Sequence, residues 1–268
     1  MTDLPDWVPE GIEVTVPNAA RIYDYLLGGY HNFPVDREFV VKMEAMAPGS
    51  MAIGRSNRAF VGRSVRWLVH EAGIRQFLDI GSGIPTLGNV HEVAQGIAPE
   101  AKVMYVDIDP VAVAHSRAIL AGNPMAGIIQ ADVQQPEDIL YHPEVTRLLD
   151  FSQPVAVLLN AVLHFVPDSA DPPGIVAAIR EAVVRGSYLS LTHAEVKERL
   201  DEADEVFKLY ERTPTAINSR SPEQLLAMLA GMEIIPPGVV DADSWHPEEP
   251  DAVDDAVPGV LAVMARKV

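Results

Sequence analysis

Two short stretches constrain this chain more than any others. Phe77-Leu78-Asp79-Ile80 is an apolar run that stops on Gly81-Ser82-Gly83-Ile84-Pro85-Thr86, and Val103-Met104-Tyr105-Val106 is a second that stops on Asp107-Ile108-Asp109-Pro110. In an α/β chain, a glycine turn after the first strand lets backbone approach a ligand at the carboxyl edge of the sheet. An acid ending the second strand can grip ribose hydroxyls. The pair reads as a site for a nucleoside-type ligand.

The strand–helix rhythm continues beyond these runs. Segments 76–80, 102–107, 126–130, 154–161 and 187–192 read as strands, with helices near 87–98, 110–121, 136–149 and 172–185 between them. That alternation argues for parallel strands joined by crossover helices. A long acidic helix is expected at roughly 194–211, a shorter one at 221–230, and closing strands at 232–235 and 259–265. Asp241–Pro258 carries seven acids, no Lys or Arg and three prolines, so it reads as an exposed loop.

Ahead of the first strand the periodicity is helical. Asn18 is a cap for a helix with the apolar stripe Ala19, Ile22, Tyr23, Leu26 and Leu27, which ends at Gly28-Gly29. Asp36 is read as the cap of a second helix bearing Phe39, Met43 and Met46. Ser56 is read as the cap of a third bearing Phe60, Val61, Val65, Leu68 and Val69. The chain thus divides into an N-terminal helical arm, 1–73, and an α/β domain, 74–268, expected to form one structural unit.

Composition narrows the function. Of 268 residues 48% are hydrophobic, enough for a sizeable core, and none is cysteine, which excludes disulfides, thiolate nucleophiles and cysteine metal sites. The eight histidines include no close pair on one helix face, so no metal is expected. No Gly-x-Ser-x-Gly elbow supports hydrolase chemistry. No apolar span reaches membrane length and the first residues lack the order of a secretion signal, so a cytoplasmic protein without a membrane partner is the expectation. The net charge of −18 opposes binding to nucleic acid and favours a small-molecule substrate, with a homodimer left open. Charge is uneven: residues 21–75 hold eight basic and five acidic side chains, while 76–268 hold twelve and twenty-nine. Either the acidic surface is simply solvated, or the basic arm docks on the acidic body and closes its site.

The identity of the ligand follows from departures as much as matches. A dinucleotide fingerprint wants a third glycine where Thr86 stands, which counts against NAD. Asp79, two positions before the glycine turn, suits the charged amino end of S-adenosylmethionine. The third strand ends Gln130-Ala131-Asp132-Val133, where an acid can accept the adenine amine and Val133 can lie against the ring. The fourth runs into Asn160-Ala161-Val162-Leu163-His164, a near-continuous apolar run whose polar end falls at the topological switch.

Asp79-Ile80-Gly81-Ser82-Gly83, Val106-Asp107-Ile108-Asp109, Ala131-Asp132-Val133 and Leu163-His164-Phe165-Val166-Pro167-Asp168 resemble the successive motifs of class I S-adenosylmethionine-dependent methyltransferases. More narrowly, Pro17-Asn18-x-Ala20-Arg21-Ile22-Tyr23-Asp24-Tyr25-Leu26-Leu27-Gly28-Gly29 followed by Asn32-Phe33-Pro34-Val35-Asp36-Arg37 resembles the S-adenosyl methyltransferase family common in actinobacteria, long catalogued as a domain of unknown function. The resemblance implies a Rossmann-like, seven-stranded, mostly parallel sheet with one antiparallel strand. It implies that Asp79, Gly81, Ser82 and Gly83 surround the methionine end of the cofactor. Asp107 and Ile108 would then hold the ribose, Asp132 and Val133 the adenine, and Asn160, Ala161 and His164 the inner face. It supplies no acceptor.

Methyl transfer from a sulfonium is an in-line displacement, so alignment and exclusion of water matter more than a nucleophilic residue. A base is needed only if the acceptor must lose a proton. His164, His31, Tyr25 and His193 are the catalytic candidates, with Tyr30, Glu195 and Arg212 as further groups able to face an acceptor. Arg21, Tyr25, Tyr30 and His31 bracket the first helix, and the arm is expected to form part of the active site. A non-catalytic S-adenosylmethionine- or S-adenosylhomocysteine-binding protein on the same fold is the main alternative, and an NAD-binding oxidoreductase the lesser one.

Overall fold

The structure is a computed structural model that describes residues 12–85, 88–195, 209–210, 216–247 and 259–268. Three helices lead: α1 (Ala19–Leu26), α2 (Pro34–Met46) and α3 (Ser50–His70). There follow β1 (Gln76–Ile80), α4 (Val90–Ile97), β2 (Lys102–Asp107), α5 (Pro110–Ile119), β3 (Ala126–Gln130), α6 (Pro136–Leu140) and α7 (Pro143–Leu148). Then come β4 (Ala156–Asn160), α8 (Pro172–Ala182), β5 (Tyr188–Ala194), α9 (Pro222–Met228), β6 (Met232–Ile234), β7 (Val240–Asp241) and β8 (Val260–Lys267).

The strands form one sheet in the order β3-β2-β1-β4-β5-β8-β6, with β7 also paired to β8. β1 to β5 are mutually parallel and β8 runs antiparallel to β5, β6 and β7. This is the expected Rossmann-like sheet with one reversed strand, and the two-residue β7 is an addition on the same edge as β6. Both faces are covered. Leu78, Ile80, Met104, Val106, Val157 and Leu159 pack towards the side of α6 to α9, whereas Phe77, Val103, Tyr105, Ala156 and Leu158 pack on the side of α3 and α4. Strands buried on both faces explain why their sequences read as unbroken apolar runs.

Several boundaries differ from expectation. Asp36 does not precede α2; it is the third residue of the helix, and its side chain reaches back to the Phe33 amide at 2.8 Å while Pro34 occupies the first position. α3 starts six residues before Ser56, behind Gly49 at φ +94°, and Ser56 is a buried mid-helix residue. The 136–149 segment is two helices, because Pro143 holds His142 in an extended conformation, with φ −60° and ψ 133°. The segment read as a loop from Asp241 starts with β7 and a 3₁₀ turn at Ala242–Ser244. Trp245 then lies fully buried against Phe60, their rings 5.3 Å apart. Residues 248–258 and most of the long acidic helix lie outside the described residues.

Candidate functional site

The strand order reverses between β1 and β4, which opens a crevice at their carboxyl ends. Gly81 closes one side of it. Its φ is +76°, its amide donates to the Val106 carbonyl at 2.8 Å, and a Cβ there would sit 2.5 Å from Val162 Cγ2. Only glycine lets the turn nest against the segment after β4. Gly83, at φ +67°, has nothing within 4 Å of where its Cβ would be, so its open side is a cradle. Its amide donates to Asp107 Oδ2 at 2.6 Å, while Asp107 Oδ1 accepts the Asp109 amide at 2.8 Å. Burial pushes the Asp107 carboxyl up to about 6, against the opposing pull of these amides.

Around Asp107 the third strand's end falls into place. The Ala131 amide donates to the Asp107 carbonyl at 3.1 Å, bringing Asp132 and Val133 alongside. Asp132 is partly exposed and its Oδ1 caps the Gln134 amide, whereas Val133 is built into the core. Ile108 is 58% exposed at the rim.

On the β1–β4 side several polar groups lack partners. Asp79 is buried, and its carboxyl makes no hydrogen bond among the described residues. Burial pushes its carboxyl up to about 7, opposed by the charge of Arg58 and reinforced by that of Asp107. Ser82 Oγ and Asn160 Nδ2 are likewise buried without a hydrogen-bond partner. Asn160 Oδ1 accepts from Ser190 Oγ at 3.3 Å. Ala161 takes the left-handed conformation, φ +54°, a cost of about 1–3 kcal/mol for a residue with a side chain. Its amide is held by Thr192 Oγ1 at 2.8 Å.

That threonine starts a chain of bonds into the arm. Thr192 Oγ1 donates to Asn57 Oδ1 at 2.6 Å, Asn57 Nδ2 donates to the Tyr23 hydroxyl at 2.8 Å, and the Tyr23 hydroxyl donates to the Gly54 carbonyl at 3.2 Å. α1 also sits on the glycine turn, where Ala20 packs with Ile84, Val111 and Ala112. The arm and the crevice therefore share residues.

The polar residues of the arm's signature hold the arm itself. Asn18 caps α1, and Arg21 Nε pairs with Asp36 Oδ2 at 3.1 Å, both side chains almost fully buried. Arg21 therefore faces α2 rather than the crevice. Asp24 Oδ2 accepts the His31 amide and Asn32 Nδ2, and a Cβ at Gly29 would overlap Asp24 Oδ1, so the turn after α1 requires glycine. His31 is thereby set against His115 of α5, ring centroids 3.7 Å apart. Tyr25 is half-buried beside the Phe39–Met43–Tyr210 cluster, and Tyr30 is 87% exposed.

The other catalytic candidates lie deeper. His193 projects from the opposite face of β5 to Ser190 and Thr192. Its Nε2 accepts from Arg220 Nη1 at 3.1 Å and its Nδ1 donates to the Ala194 carbonyl at 2.8 Å, so the ring is neutral and both nitrogens are engaged. Burial brings it down to about 4, and holds His164, 5.6 Å away, well below the usual range. The Glu195 amide bonds the Gly259 carbonyl, and Arg212 lies outside the described residues.

Sequence reasoning passed over Tyr23 as a polar group and missed Asn57, Arg58, Ser190 and Thr192 altogether. The available signal was Ser56-Asn57-Arg58, three consecutive polar residues in the middle of a long helix. The model of the S-adenosyl methyltransferase family matches residues 5–268.

The chain belongs to the S-adenosyl methyltransferase family.

Two solved structures agree with this membership. A candidate methyltransferase from Thermobifida fusca YX is 40% identical over 98% of this chain and 99% of its own, with a TM-score of 0.92. A DUF574 family protein from Streptomyces avermitilis MA-4680 is 36% identical over 95% of this chain and 99% of its own, with a TM-score of 0.91. An O-methyltransferase family protein from Burkholderia thailandensis, 13% identical over 83% of this chain and 61% of its own, shares the fold with a TM-score of 0.51. No curated protein matches significantly. The fold is that of the S-adenosylmethionine-dependent methyltransferases, and in this chain the polar residues of α1 and the turn after it form the set of bonds that orders α1 beside the glycine turn.

Proposed function

We propose that this protein transfers the methyl group of S-adenosylmethionine to a small-molecule acceptor. The observation that carries the reading is the unpaired polar set at the β1–β4 crevice: the Asp79 carboxylate, Ser82 Oγ and Asn160 Nδ2, beside the open side of Gly83. A buried polar group left unpaired costs about 1–3 kcal/mol, so three together are built for polar partners that a ligand brings. Their chemistry fits this cofactor. Asp79 suits an ammonium, Asp107 suits vicinal hydroxyls, and Asp132 at the third edge suits an exocyclic amine.

When bound, S-adenosylmethionine supplies a methyl group activated by its sulfonium. The chain's own residues orient and enclose. Gly81 and Gly83 bring backbone close, Asp107 braces the glycine turn, and α1 covers that turn and limits water. His31, at the arm's turn beside α5, is the acceptor-facing group we favour among the catalytic candidates. A net charge of −18 supports a metabolite over nucleic acid as acceptor.

Calorimetric titration with S-adenosylmethionine, S-adenosylhomocysteine and NAD tests the reading. Binding of the first two in preference to NAD is expected; tight NAD binding with no response to the sulfonium ligand overturns it. Release of S-adenosylhomocysteine in the presence of metabolite acceptors separates an enzyme from a non-catalytic binder.

A further inference from the structure

Ala161 stands between two residues that shape the crevice. Asn160, before it, carries the buried Nδ2 that lacks a partner, and Val162, after it, is the residue against which Gly81 nests. The left-handed backbone of Ala161, φ +54°, is disfavoured for a residue with a side chain, so something must hold it. Thr192 does, accepting the Ala161 amide on its carbonyl at 3.2 Å and on Oγ1 at 2.8 Å.

Beyond Thr192 the hydrogen bonds run in one sense only. Thr192 Oγ1 accepts from the Ala161 amide, so its own hydrogen goes to Asn57 Oδ1, 2.6 Å away, and Asn57 Nδ2 is left facing Tyr23 at 2.8 Å. The Tyr23 hydroxyl accepts from Asn57 and is also bonded by Arg58, so its hydrogen goes to the Gly54 carbonyl at 3.2 Å. Turning the Asn57 amide over would set the Thr192 hydrogen against a donor. Thr192 and Asn57 are buried, so a broken link strands a polar group, and bonds aligned in one direction strengthen one another. The far end of this chain belongs to the arm. Tyr23 lies on α1, which approaches α3 so closely that a Cβ at Gly54 would sit 3.0 Å from Leu26 Cβ.

We propose that Thr192 is a positioning residue which, through Asn57 and Tyr23, makes the turn after β4 depend on the docking of α1. With α1 docked, Tyr23 fixes the Asn57 amide, Asn57 fixes the Thr192 hydroxyl, and Thr192 keeps Ala161 in the conformation that sets Asn160 and Val162. By linkage, the docked arm raises cofactor affinity by the same factor as the cofactor favours docking. This rests on the cofactor reading above. Thr192 acts through Ala161 and not by touching the ligand.

The test is calorimetry with S-adenosylhomocysteine on the full chain and on Thr192→Val, Thr192→Ser, Tyr23→Phe and the double variant Tyr23→Phe/Thr192→Val. Hydrogen exchange of the α1 amides accompanies it. Valine keeps the shape of threonine without the hydroxyl, whereas serine keeps the hydroxyl. Thr192→Val is expected to weaken binding roughly three- to tenfold, as for one buried neutral hydrogen bond, and Thr192→Ser to restore most of it. Tyr23→Phe weakens binding too, and the double variant binds no more weakly than the worse single one, because either change breaks the same chain. Ligand slows α1 exchange in the parent protein but not in Thr192→Val. Unchanged affinity in Thr192→Val, single effects that multiply in the double variant, or slowing of α1 that survives in Thr192→Val each overturns the assignment. If Thr192→Val does not fold, Tyr23→Phe carries the same expectation, and unaltered affinity and slowing there overturn it. A parent protein that does not bind S-adenosylhomocysteine overturns the cofactor reading and this inference together, whereas binding that Thr192→Val leaves intact overturns this inference alone.

Discussion

The Gly83 amide donates to Asp107 Oδ2 at 2.6 Å, tying the turn after the first strand to the carboxylate that ends the second. The two features that stand out in the sequence are thus one structure. Asp107→Asn keeps the shape but turns a charged acceptor into a group with a donor facing an amide. Hydrogen bonds to charged groups contribute about 1.5–3 kcal/mol, so cofactor affinity should fall roughly tenfold or more. An unchanged dissociation constant would remove Asp107 from the site.

Gly81 and Gly83 should respond differently to alanine. At Gly81 the new Cβ meets Val162 in addition to the left-handed strain, whereas at Gly83 it meets nothing within 4 Å. Left-handed strain alone costs about 1–2 kcal/mol. Gly81→Ala should therefore lose clearly more stability in urea than Gly83→Ala. Gly83→Ala should lose cofactor binding out of proportion to its stability. Equal destabilisation would contradict the close approach of Val162.

Burial raises Asp79 to about 7 and Asp107 to about 6, both above the unfolded carboxylate value of about 3.9. A carboxyl raised on folding binds its proton more tightly in the folded state. Its stabilising contribution is complete below the unfolded value and is lost as pH rises through six and then seven. These two groups should make the ligand-free protein less stable towards pH 8 than near pH 5. A ligand bringing an ammonium and hydroxyls favours the ionised forms, so S-adenosylhomocysteine affinity should rise from about pH 5.5 and level off above about 7. Asp79→Asn should flatten the upper part of that rise; a pH-independent affinity in the parent protein would refute it.

Arg21 and Asp36 form a buried pair in which Asp36 also accepts the Asn18 and Phe33 amides. Removing one member of such a pair costs about 3–5 kcal/mol because the other is left charged and buried. Arg21→Met should cost that much in chemical denaturation or appear as early local opening of residues 18–36 in hydrogen exchange. Cofactor affinity should fall with it, since α1 packs on Ile84 of the glycine turn. Unaltered exchange and affinity would show that α1 is a passive extension.

The sequence alone determined the sheet. Strands at 76–80, 102–107 and 126–130 match residue for residue: the first two are covered on both faces and read as apolar runs that their own neighbours punctuate, and the third is a partly exposed edge strand. It also determined the edge residues Gly81, Gly83, Asp107 and Asn160, since the turn after a parallel strand falls where the ligand crevice lies. Helix starts were less legible. A polar residue such as Ser56 or Asp36 has the same local chemistry whether it caps a helix, closes a box three residues in, or is buried mid-helix. Trp245 was hidden for a related reason: its acidic neighbours read as solvent-facing, while its burial depends on Phe60 and Trp67, far away in the chain. Only the tertiary structure could join Tyr23, Asn57, Thr192 and Ala161 into one line of bonds. That line links α1, α3 and β5 to the turn after β4, and hydrogen bonding over such separations leaves no periodicity in the chain that carries it.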